Sequence, residues 1–293
     1  MKTVLATISV FSTFAFAAVS VSAAVVEIAE GEVYKADSLD AIKTLQSAEA
    51  ITIATGGTLE YCDAENALVL AAPISGGGTV STTTGKSLAV LGDNSGFAGQ
   101  WRLVSPLVVS NRYGLGTVNT QGVYFESGAS GDTLKFGGAG LTNDVPIFFT
   151  VASPSSNVKF REDSDFSGPF VQNGLITHSV ALNISTHDAI FRGGVKETSA
   201  SLTFSMSDNS KFNGTPVRFE NKPLNEGGGR LTFLGHNNVV VDYYLDVPGS
   251  KCGEASRISR SRLHCGAENV LPVHWSTGEL MDLELGGKYN TVQ

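Results

Sequence analysis

From Ile51 onward the chain is built of short runs in which apolar and polar residues alternate or apolar residues follow one another. Ile51-Thr52-Ile53, Leu68-Val69-Leu70, Trp101-Arg102-Leu103, Val123-Tyr124-Phe125, Leu134-Lys135-Phe136, Ile147-Phe148-Phe149, Leu202-Thr203-Phe204 and Leu231-Thr232-Phe233-Leu234 are examples. Each run spans three to five residues and is closed by Gly, Asn, Asp or Ser, which predicts a strand followed by a tight turn. Strands this short do not make a free-standing sheet. Stacked coil on coil, they form long parallel sheets around one core. One stretch has a different period. Asp37 or Ser38 can cap a helix in which Leu39, Ile42 and Leu45 fall on one face, over residues 37–46. A solenoid exposes open backbone and apolar side chains at its end, so this helix is placed to be an N-terminal cap.

A phrase repeats within that pattern. Asp93-Asn94-Ser95-Gly96-Phe97-Ala98-Gly99, Ser164-Asp165-Phe166-Ser167-Gly168 and Asp208-Asn209-Ser210-Lys211-Phe212-Asn213-Gly214 share Ser-x-Phe-x-Gly. Phe97 to Phe166 is 69 residues and Phe166 to Phe212 is 46, three and two steps of 23. A fixed step of this size marks a repeat architecture. The phenylalanines are expected at one corner of the coil, pointing inward. The Gly two residues later turns the chain where a Cβ would clash.

The N-terminus reads as an export signal. Met1-Lys2 is followed by a mostly apolar stretch, Val4 to Val21, and Val21-Ser22-Ala23 offers a small-residue cleavage site. The expected organisation is therefore a signal peptide at 1–23, a cap at 24–50 and parallel β-helix repeats at 51–293. No other segment is apolar and long enough to cross a membrane as a helix. The net charge of -8 gives no attraction for phosphate backbones, so nucleic acid is not an expected partner. With 33 glycines and only 16% charged residues, the composition fits neither a disordered tail nor a helical bundle.

Residues 248–272 break the rhythm and read as a basic loop inserted between coils. Arg257, Arg260 and Arg262 lie between Cys252 and Cys265, a candidate disulfide in an exported protein. Such a loop on an acidic rod suits an anionic glycan or a protease; a solvated, pinned loop is the plainer reading. Cys62 is left as a small buried side chain.

Two stretches resemble a known family. Ile74-Ser75-Gly76-Gly77-Gly78, then Thr84-Gly85-Lys86-Ser87-Leu88-Ala89-Val90-Leu91-Gly92, then Asn94-Ser95-Gly96-Phe97-Ala98-Gly99 resemble the autotransporter-associated β-strand repeat. Gly229-Arg230-Leu231-Thr232-Phe233-Leu234-Gly235 and Gly278-Glu279-Leu280-Met281-Asp282-Leu283 are similar to that family's strand unit. The resemblance implies a right-handed single-stranded parallel β-helix on or released from a bacterial surface or outer membrane, with adhesive or structural roles. A host or cell-surface glycan or protein is then the expected partner. Nothing resembles the membrane barrel that follows such passengers, and the chain stops inside a repeat unit, as a fragment of a longer protein would.

Chemical candidates are few. Gly85-Lys86-Ser87 lacks the earlier glycine and the following helix of a phosphate loop. Asp93-Asn94-Ser95 recurs at 208–210 as a turn, so it is not a nucleophile site. His264, His274, Cys252 and Cys265 match no usual zinc spacing. The remaining cluster is Lys159, Arg161, Glu162, Asp163 and Asp165, where strand alternation puts Lys159, Arg161 and Asp163 on one face. Carboxylates beside basic residues on a parallel β-helix can hold Ca²⁺ and abstract a proton from an acidic sugar, as polysaccharide lyases do. A solvated surface gives the same residues. The expectation is thus an exported, adhesive or structural solenoid without a cofactor, with a polysaccharide lyase or glycoside hydrolase as the alternative.

Overall fold

The computed structural model describes residues 24–83, 85–126, 131–137, 141–149, 156–159, 170–179, 182–185, 189–198, 202–205, 217–221, 224–225, 231–234, 241–245, 257–259, 261–265, 283–285 and 288–290. They form a β-solenoid of mostly parallel strands with one short helix, the expected architecture. The chain visits three faces in turn. On the first, Val25–Ile28, Ala50–Ile53 and Ile74–Gly76 make one sheet, and Thr142–Asn143 to Ser261–Cys265 make a second of six strands. The second face stacks nine strands, from Val33–Ala36 to Leu224–Asn225. The third also stacks nine, from Leu68–Leu70 to Arg257–Ser259. Nine strands at the usual spacing make a rod about 38 Å long.

The coils are less regular than a fixed step of 23. On the second face Val33 lies beside Thr58, Thr58 beside Thr79 and Thr79 beside Gln100, steps of 25, 21 and 21 residues. Further on, Ile147 lies beside Ile176 and Ile176 beside Val195, steps of 29 and 19. Strand length is set by the coil's width, so the turns absorb the difference. Of the three copies of the phrase, Phe97 is described. It is buried and makes an isolated bridge to Gly76, continuing the first face one coil beyond the sheet that ends at Ile74–Gly76. At Gly99 a Cβ would fall on the Gly78 carbonyl oxygen, the close approach expected there. Phe166 and Phe212 lie outside the described residues.

Alternation puts one side of each strand in the core. In Leu68–Leu70, Leu88–Val90 and Leu107–Val109 the outer two residues are buried and the middle one is not. In the later coils the core is aromatic. Phe125 stacks on Phe149 at 4.1 Å, Phe191 on Phe219 at 5.2 Å and Phe204 on Phe233 at 5.6 Å. Several buried polar side chains are bonded between coils. Asn94 Oδ1 accepts from the Ile74 amide at 2.7 Å, and its Nδ2 donates to the Gly114 carbonyl at 2.6 Å. Asn143 Nδ2 donates to Gln172 Oε1 at 2.9 Å, and Gln172 Nε2 donates to the Val145 carbonyl at 3.3 Å.

The helix α1, Leu39–Gln46, follows the first-coil strand of the second face and packs against Leu68–Leu70, the terminal strand of the third. Ser38 caps it, its Oγ accepting from the Ala41 amide at 3.4 Å. Ile42 and Leu45 are buried, but Leu39 is 49% exposed and does not share their face. Residues 39 and 45 sit about 120° apart on a helix, so only the later two reach the core.

The segment 248–272, read as an inserted loop, supplies strands. Arg257–Ser259 pairs with Leu231–Leu234, and Ser261–Cys265 pairs with Val241–Leu245. Both stretches alternate polar and apolar residues, as any strand with one buried side does.

Candidate functional site

The solvent side of the second face carries polar side chains in register from coil to coil. Thr58, Thr79 and Gln100 lie in register on successive coils, as do Glu60, Ser81 and Arg102. Gln100 Nε2 donates to Thr79 Oγ1 at 3.1 Å, tying two coils together. The ladder continues through Tyr124 and Phe148, whose rings stack at 4.9 Å and 14°. Phe148 lies over Gly122, where φ is +144° and an added Cβ would fall on the ring. Beside them Arg102 and Glu126 form an ion pair at 2.5 Å. Both side chains are partly exposed, so the pair contributes at most about 1 kcal/mol.

The third face changes character along its length. Val69, Ala89, Val108 and Lys135 are in register, then Lys135, Lys159, Ser185 and Ser205. Asn157, Asn183, Thr203 and Thr232 form the neighbouring ladder. Thr203 is half-buried and Thr232 is covered. On the first face Arg218 lies over the Tyr244 ring at 4.9 Å, and Arg192 pairs with Glu220 at 3.0 Å.

Some of the residues singled out from sequence are among the described ones. Lys159 is in the strand Ser156–Lys159, whereas Arg161, Asp163 and Asp165 lie outside the described residues. Arg257 stands in register with Thr232 on the third face, and Arg262 with Asp242 on the first. Arg260 and Cys252 are outside the described residues, and Cys265 ends a strand beside Leu245. Cys62 is a half-buried free thiol. Burial, then Glu60 and Asp37, raise its pKa, which suppresses the reactive thiolate. Among the described residues no three His, Cys, Asp or Glu side chains are grouped to hold a metal ion. Among them, too, no helix is long and apolar enough to cross a membrane.

The Asp63 carboxylate has a structural, hydrogen-bonded environment. Asp63 Oδ1 accepts from the amides of Glu65 and Asn66 at 2.7 and 2.9 Å, and its Oδ2 accepts from Asn66 Nδ2 at 3.0 Å. The Asn66 side chain and these amides hold its pKa below the ordinary value. Tyr61 beside it is buried, and burial raises its phenol pKa. His178 is fully buried, in register between Phe149 and Glu197, and its carbonyl accepts from the Thr198 amide and hydroxyl.

Sequence reading missed the Tyr124–Phe148 pair. Its signal is the middle position of Val123-Tyr124-Phe125 and Ile147-Phe148-Phe149, where alternation sends one aromatic outward between two buried neighbours. No family model, curated protein or solved structure matches the chain.

Proposed function

We propose that the chain is an exported, non-enzymatic β-solenoid, presented on or released from a bacterial surface in an adhesive or structural role. The observation that carries this reading is the ladder of Thr58, Thr79 and Gln100 beside Glu60, Ser81 and Arg102 on the solvent side of the second face. It repeats hydrogen-bonding groups at one-coil intervals along the rod. A surface of that kind suits many weak contacts in series, whose combined strength exceeds that of any one. The apolar N-terminal stretch before Ala24 supports export, and the repeat-like segments around 74–99 support the passenger resemblance.

Beads coated with the purified chain are expected to attach to cells, and Thr79→Ala with Gln100→Ala together should weaken attachment without loss of β-sheet signal. Expression with residues 1–23 in place should yield an exported chain beginning at Ala24, read by terminal sequencing. Release of unsaturated sugar from polygalacturonate in the presence of Ca²⁺ would instead establish the lyase alternative. Retained chain in the cytoplasm would remove the export half of the proposal.

A further inference from the structure

We draw no further inference here: the strongest candidate, the stacked Tyr124–Phe148 ring pair on the solvent side of the second face beside the Arg102–Glu126 ion pair, carries nothing because Phe148 already serves the fold by covering Gly122 and nothing in the structure shows what would cover the rings.

Discussion

The coils next to the helix and the coils further along the rod solve one packing problem with different side chains. Near the helix, the third face sends Leu68, Leu70, Leu88, Val90, Leu107 and Val109 into the core. Further along, the same face sends in Leu134, Phe136, Ile184, Phe204 and Phe233, and the first face adds Phe170, Phe191 and Phe219. Aliphatic side chains fill a core by interdigitating, whereas stacked rings fill it by repeating one shape at the strand spacing. The backbone ladder is common to both regions. What differs is how far each core tolerates the loss of one side chain.

The largest effect is expected at Phe204, which stacks on Phe233 and meets Phe191 and Phe219 edge-on. Phe204→Ala should cost about 3–5 kcal/mol, because a ring-shaped void between rings does not collapse. In a chain carrying Trp275→Phe, Trp101 fluorescence reports the early coils alone. Urea should unfold the later coils of the Phe204→Ala chain before that signal moves. Simultaneous loss of both would show that the two regions unfold as one unit. Leu88→Ala should cost about 2–4 kcal/mol, and here the Trp101 signal should move first.

Smaller changes sharpen the contrast. Asn94→Ala leaves the Ile74 amide and the Gly114 carbonyl without this partner and should cost about 1–3 kcal/mol. Its effect on hydrogen exchange should be confined to the coils on either side. Ser38→Ala removes the cap of α1 and should cost about 1 kcal/mol, seen as faster exchange of the Ala41 amide. The smallest expected effect concerns acid. Asp63 has a depressed pKa when folded, so its contribution is present above the unfolded pKa of about 4 and is lost as pH falls through the folded value. Asp63→Asn should therefore flatten the acid limb of the stability profile, and an unchanged limb would remove Asp63 from the account.

The strand runs were legible because one side of each is buried, and burial imposes a period of two on any sequence. Ser38, Ile42 and Leu45 were legible for the same reason at the helical period. The coil length was not. The phrase at Phe97 suggested a constant 23, but a turn between two fixed strands accepts a range of lengths at small cost in entropy. The basic stretch around Arg257 and Arg262 reads as a loop by its charge, yet Arg257-Ile258-Ser259 and Arg262-Leu263-His264-Cys265 keep the strand period. The candidate surface was the least legible part. Ser81, Arg102 and Tyr124 are far apart in sequence, and only the register of the coils brings them into line.

The double bond made by Asn94 has a mechanical consequence. Parallel coils are joined by hydrogen bonds that run along the rod, so a pull on its two ends loads one seam at a time, as a zipper is opened. A side chain gripping the coil on either side makes two seams yield together. Under tension the rod should lengthen in steps of one coil, 19 to 29 residues, wherever such grips are missing, with a longer and stronger step at the coils Asn94 bridges.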